Sequence, residues 1–169
     1  MKKILTASLI GCLLLIPLAC KVSYSFTGAD TGEAQTFQVN NFLNNAPIVE
    51  PRIAREFTIE LQELILNQTN LSLTDAGGDL IYEGEITRYY VSPITATAQS
   101  TAAQNRLTMA VNVRFYNVKE PEKDFEQSFS FYYDYEGGSQ LVGSQLDEAL
   151  EAIYERITQD IFNASLANW

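Results

Sequence analysis

The chain is 169 residues long, 46% hydrophobic and 19% charged, with 9 Gly and 5 Pro, which suits one domain with a sizeable core rather than a disordered or low-complexity polypeptide. Its 11 basic and 21 acidic side chains give a formal net charge of -10, against the clustered cations that a nucleic-acid backbone requires, so no nucleic acid is expected as partner. With no His and two Cys, Ser-His-Asp triads, Cys-His dyads, His-ligated zinc and His general bases are excluded, and neither metal nor cofactor is expected.

Met1-Lys2-Lys3 is a short cationic leader, and Ile4 to Ala19 is an apolar run interrupted by Pro17. That run is short for a bilayer span and sized for a secretory signal, so residues 1–19 are read as a removed signal peptide. Ala19-Cys20 then resembles the lipobox of bacterial lipoproteins, in which the Cys is acylated, although Pro17 stands where that motif usually has Leu. Leu9-Ile10-Gly11-Cys12 matches the motif better but would leave a very short leader and a greasy Leu13 to Ile16 segment on the mature chain, so Cys20 is favoured over Cys12. An ordinary secreted chain with a free Cys20 is the weaker alternative, because a lone exported thiol is reactive. Loss of Lys2 and Lys3 leaves 9 basic and 21 acidic side chains, a net of -12, so lipid rather than charge would hold the protein to a membrane. Lys21 to Phe26 carries no acidic cluster, which favours a periplasm-facing anchor.

Residues 20–34 are expected to be the lipidated Cys and a tether, and residues 35–169 one domain. Thr36 to Asn40 alternates as a half-buried strand does, and Asn41 to Val49 is a loop by composition. Glu50-Pro51 opens a helix in which Ile53, Phe57, Leu61 and Leu64 recur at helical spacing, ending near Asn67. After Gly77-Gly78, three long strands are expected at Asp79 to Val91, Arg106 to Val118 and Phe125 to Tyr135. From Ser144 to about Phe162, Leu146, Leu150, Ile153, Ile157 and Ile161 form one stripe, with Ser144 and Asp147 in capping-box positions. The expected fold is α+β, a two-layer sandwich with a four-stranded mixed sheet and two helices on one face, in the order β-α-β-β-β-α.

Strand parity supports that layering. Leu107, Met109, Val111, Val113 and Phe115 share one face, as do Phe125, Phe129, Phe131, Tyr133 and Tyr135, against polar residues on the other. A hairpin around Glu120-Pro121 then sets Phe115 opposite Phe125, Val111 opposite Phe129 and Leu107 opposite Tyr133, and on the polar face Arg114 opposite Glu126 and Arg106 opposite Asp134. Such charge pairs make those two Arg structural before anything else. Matching apolar faces on the preceding strand sets Ile86 opposite Leu107 and Tyr82 opposite Val111, with Arg88 on the apolar side beside Tyr90. Its guanidinium either snorkels out past the helix ends or meets an anion. Ser92 to Asn105 reads as a long uncharged loop, of a kind that is more often functional than filler.

Cys20 followed by Tyr24-Ser25-Phe26-Thr27-Gly28, then Asp79 to Ile86, Asn105-Arg106-Leu107-Thr108-Met109 and the ending Asp160-Ile161-Phe162-Asn163 with Trp169 resemble the LptE family of lipopolysaccharide-assembly lipoproteins. The resemblance implies a small α+β domain that plugs the large β-barrel LptD at the outer membrane, helps that barrel assemble, and assists insertion of lipopolysaccharide, which it can bind. The candidate contact residues for lipopolysaccharide or partner are Arg88, Ser92, Pro93, Asn105 and Arg106. A polar, Tyr-bearing sheet face suits a water-filled lumen, whereas the net acidity sits uneasily with an anionic lipid. Two other readings are a periplasmic binding or scaffold lipoprotein of another partner, and an enzyme using Glu83 and Glu85 as paired carboxylates.

Overall fold

A computed structural model describes residues 28–48, 50–94, 104–136 and 141–167. In chain order these form β1 (Thr36–Val39), β2 (Leu43–Asn44), helix α1 (Ile53–Gln68), β3 (Ser72–Leu73), β4 (Leu80–Ile94), β5 (Gln104–Asn117), a 3-10 turn at Pro121–Lys123, β6 (Phe125–Glu136) and helix α2 (Ser144–Leu166). The sheet runs β3-β1-β4-β5-β6, with β2 also paired to β4. β1 and β2 run parallel to β4, while β4, β5 and β6 form an antiparallel meander.

The architecture is the expected α+β sandwich, with six strands rather than four. The two additional strands are two residues each, too short to show a period. Main-chain bonds hold them: Asn45 N–H donates to Ile86 O at 3.0 Å beside β2, and Ser72 N–H to Gln35 O at 3.0 Å in β3. Phe42, inside the segment that composition reads as a loop, is buried, and its N–H donates to the Thr58 hydroxyl of α1 at 3.1 Å.

α1 buries Ile53, Phe57, Leu61 and Ile65, one residue per turn, against β1, β2, β3 and α2. α2 buries Leu150, Ile153, Ile157 and Ile161 against β5, β6 and α1. Thr58 and Thr158 are buried in these helices because each hydroxyl donates back to a carbonyl one turn earlier, Ala54 O at 2.7 Å and Tyr154 O at 2.8 Å. The expected capping box at α2 does not form. Gly143, at φ 60°, occupies the N-cap position, so Ser144 is already helical, and the Asp147 carboxylate takes Arg52 Nη2 at 2.7 Å instead.

The β5–β6 hairpin has the expected register, with Phe115 opposite Phe125, Val111 opposite Phe129, Leu107 opposite Tyr133, Arg114 opposite Glu126 and Arg106 opposite Asp134. The β4–β5 register is different. Ile86 lies opposite Val111 and Tyr82 opposite Phe115, four residues from the expected pairing. A slip by an even number keeps every side chain on its own face, so apolar parity cannot detect it. Pairing also continues to Ile94 opposite Gln104, so Ser92, Pro93 and Asn105 are strand residues, and only residues 95–103 of the expected loop remain, outside the described residues. β4 breaks its alternation once, between Ile86 and Arg88, where Thr87 is the extra residue of a β-bulge and its hydroxyl donates to Ala110 O at 3.3 Å. Upstream of the bulge the even-numbered residues are buried; downstream Tyr89 is buried and Arg88 and Tyr90 are exposed. The bulge therefore moves Arg88 from the apolar side, where unbroken alternation would place it, to the open face.

Candidate functional site

The sheet face away from the helices is the surface that the expected contact residues share. Alternation and register arrange it in cross-strand rows: Glu83, Arg114 and Glu126; Glu85, Asn112 and Ser128; Arg88, Ala110 and Ser130; Tyr90, Thr108 and Tyr132; Ser92, Arg106 and Asp134. Pro93 and Asn105, opposite one another, fall on the other side of the sheet by the same alternation. Of the five candidates the structure thus brings Arg88, Ser92 and Arg106 together and separates Pro93 and Asn105. Cys20 and Cys12 lie outside the described residues.

The rows sort into two ends of opposite character. At one end Arg114 Nε meets Glu83 Oε1 at 3.1 Å and its Nη2 meets Glu85 Oε2 at 3.1 Å, with Glu126 Oε1 at 4.0 Å. Asn112 Nδ2 donates to Glu126 at 2.7 Å and Glu85 at 3.2 Å, and Asn40 Nδ2 donates to Glu83 at 3.1 Å. Hydrogen bonds from Arg114 hold the Glu85 carboxyl below the usual carboxylate range. Three carboxylates around one guanidinium leave this end acidic, and the register partner Glu126 is the weakest of the three contacts.

At the other end Arg106 makes a two-pronged contact with Asp134, Nε to Oδ1 at 2.7 Å and Nη2 to Oδ2 at 2.8 Å, and its guanidinium lies 3.6 Å above the centre of the Tyr132 ring. This is the structural role that the charge pairing predicts. Tyr90 and Tyr132 stand exposed on either side of Thr108. Arg88 flanks them across Ala110 and makes no ion pair among the described residues. Sequence reading named Arg88, Ser92 and Arg106 of this end but not Tyr90, and it put Arg88 and Tyr90 on the apolar side because both take their positions from the bulge at Thr87.

A third charged group ties the sheet margin together. Asp79 Oδ2 accepts from Gln35 N–H at 3.0 Å, Thr36 N–H at 3.1 Å and the Thr36 hydroxyl at 3.0 Å, while Lys119 Nζ lies 3.1 Å from Oδ1. The Gln35 N–H above all, with Lys119 and Thr36, pulls the Asp79 carboxyl far below its ordinary value. The Asp134 carboxyl is lowered by its hydrogen bonds from Arg106. Each depressed carboxylate contributes stability that is present above its unfolded pKa, about 4, and is lost as pH falls through the folded value. The chain has no His to titrate between pH 5 and 7. The melting temperature is therefore expected to be flat from about pH 7 to 5 and to drop below about pH 4. Asp79→Asn should flatten that acid limb in a calorimetric pH series. Glu60 behaves oppositely: burial, then Glu63, Glu151 and Glu155, raise its pKa, so Glu60→Gln should stabilise the protein at neutral pH.

No helix among the described residues is long and apolar enough to cross a membrane. The fold is shared with solved bacterial proteins. A protein of Xanthomonas campestris superposes with a TM-score of 0.51 at 10% identity, covering 76% of this chain and 82% of its own. A Helicobacter pylori protein described as a homolog of neuraminyllactose-binding hemagglutinin superposes with a TM-score of 0.50 at 13% identity, covering 83% of this chain and 91% of its own. No curated protein matches in sequence. The family model of LptE, described as lipopolysaccharide-assembly, matches residues 34–165, from two residues before β1 to the last turn of α2. That span takes in both helices and every strand, and the chain belongs to the LptE lipopolysaccharide-assembly family.

Proposed function

We propose that the mature protein, acylated at Cys20 after loss of residues 1–19, is an outer-membrane lipoprotein that faces the periplasm or sits inside the lumen of an LptD-type β-barrel, helps that barrel assemble, and assists insertion of lipopolysaccharide into the outer leaflet. The family match over residues 34–165 carries this reading. An open sheet face of Ser, Thr, Tyr and paired charges is compatible with a water-filled lumen. Glu83 and Glu85 each hold Arg114, which favours a scaffold over acid/base chemistry at those carboxylates.

Arg88, Ser92 and Arg106, with Tyr90 and Tyr132 between them, form the surface for lipopolysaccharide or barrel. Arg106 is already engaged by Asp134, so Arg88 supplies the cation for a phosphate, and Pro93 and Asn105 drop out of this surface while remaining at the same end of the sheet. The test is affinity isolation of the tagged full chain from solubilised outer membranes, with identification of the bound barrel and the intact mass of the mature amino terminus. An LptD-type barrel and a lipid-modified Cys20 are expected. A different partner would favour the scaffold reading, and a lipid on Cys12 would move the anchor. Arg88→Ala should weaken lipopolysaccharide binding about tenfold, the worth of one charge-assisted hydrogen bond, with an unchanged melting temperature. A lowered melting temperature with unchanged binding would make Arg88 structural.

A further inference from the structure

β6 ends the sheet, and among the described residues no strand pairs with its outer edge. The opposite edge is β3, two residues long, whereas β6 offers twelve. Long edges are normally blunted by Pro, Lys or a bulge. The β6 sequence FEQSFSFYYDYE has neither Pro nor Lys, its carboxylates Glu126, Asp134 and Glu136 leave Gln127 to Tyr133 uncharged, and its register with β5 runs unbroken from Phe125 to Glu136.

The direction of its main-chain groups follows from one hydrogen bond. Val118 N–H donates to Asp79 O at 2.9 Å, so in the antiparallel β4–β5 ladder the even-numbered residues of β5 turn their N–H and C=O toward β4 and the odd-numbered ones toward β6. The bulge adds its extra residue to β4 and leaves β5 alternating. Odd-numbered residues of β6 therefore bond to β5, and Glu126, Ser128, Ser130, Tyr132, Asp134 and Glu136 aim theirs outward. On the helix side of the same strand Phe125, Phe131, Tyr133 and Tyr135 are only half-buried. Main-chain groups and aromatic rings are left incomplete along one line.

We propose that this edge receives an extended segment of a partner polypeptide, added as a further strand, apolar on the helix side and neutral or basic on the open side. A second copy of this chain fits poorly. An antiparallel pairing that uses the whole strand sets Glu126 opposite Asp134 or Glu136, and like charges directly opposite are destabilising. A Ser, Thr, Lys or Arg facing those carboxylates removes the conflict, while Val, Ile or Leu at alternate positions covers the half-buried rings. The proposal goes beyond the barrel reading and does not depend on which protein supplies the strand.

Amide hydrogen exchange tests it on the full chain, once purified alone and once in the complex isolated from solubilised membranes. Alone, the six even-numbered amides of β6 exchange fast and the odd-numbered ones slowly; in the complex the even set is slowed at least about tenfold. An even set that stays fast in the complex overturns the proposal. So does an even set already protected in the isolated monomer, or one whose protection appears only with dimerisation. Ser130→Pro deletes one outward donor at an edge position that tolerates Pro, and should cut recovery of the complex about tenfold, a fold-change equal to about 1.4 kcal/mol. Ser130→Ala, which keeps the N–H, should leave recovery unchanged. Equal recovery of the Pro variant and the original chain also overturns the proposal.

Discussion

Phe115→Ala should lower the unfolding free energy by about 3–5 kcal/mol. Phe115 is fully buried on the central strand of the meander, its ring centre 4.9 Å from that of Tyr82 on β4 and 5.3 Å from that of Phe125 on β6. Deleting it removes the ring that fills the space between those two strands, and neither neighbour can swing in. Tyr82 is held by its hydroxyl, which donates to Ser165 Oγ of α2 at 2.9 Å, and Phe125 begins a strand paired along its length. Against a typical total of about 5–15 kcal/mol, the loss exceeds half the stability of a marginal domain. The adjacent Tyr116→Ala, on the open face and 38% exposed, should cost less than about 1 kcal/mol. Equilibrium denaturation of the two variants measures the contrast, and equal losses would mean that the core is not centred on this strand.

Gly84→Ala should cost about 1–3 kcal/mol, although it adds one methyl group. A Cβ at residue 84 would strike the Asn112 carbonyl across the β4–β5 ladder and the Phe42 ring, 2.8 Å away. The first of these is backbone and cannot yield without moving the strand. Glu83 and Glu85 flank the position and both hold Arg114, so the same shift should loosen that ion cluster. Gly77→Ala makes a useful contrast. There a Cβ meets nothing within 4 Å, and the cost comes from the positive φ of 69° alone. Thermal unfolding of Gly84→Ala at low and at high salt separates the two contributions: the steric cost persists at both, while the ionic part is screened at high salt.

Layering, helix placement and the β5–β6 register were legible because each is written in a period that spans many residues. The odd-numbered apolar stripe from Leu107 to Phe115 meets another from Phe125 to Tyr135 across a short connection, and the turn leaves little freedom in their alignment. The β4–β5 pairing was not legible for the complementary reason. A long connection fixes no register, and every even slip satisfies the same parity. The bulge at Thr87 is a choice made by the fold, since nothing in Ile86-Thr87-Arg88 departs from a plain strand. Arg88 was singled out as a cation that either snorkels or meets an anion, and its face was misplaced by the one residue that breaks the alternation. Asp147 shows a local signal overridden by a tertiary one, because Arg52 offers it a full charge where the cap offered only an amide.

The corner where Ala29 meets Ala167 also bears on how an anchor at Cys20 would load the body. Ala29 forms an isolated antiparallel bridge with Ala167, just past α2, and Asp30 N–H donates to Leu166 O at 2.6 Å. If lipid is attached at Cys20, the nine residues to Ala29 span at most about 32 Å when fully drawn out. That reach is roughly the thickness of a bilayer's hydrocarbon core, and it starts from the corner where Ala29 meets Ala167. A pull from an anchor at Cys20 would load the Ala29–Ala167 bridge, at the end of α2, before any strand of the sheet, so the force would enter through a helix end and not through the core.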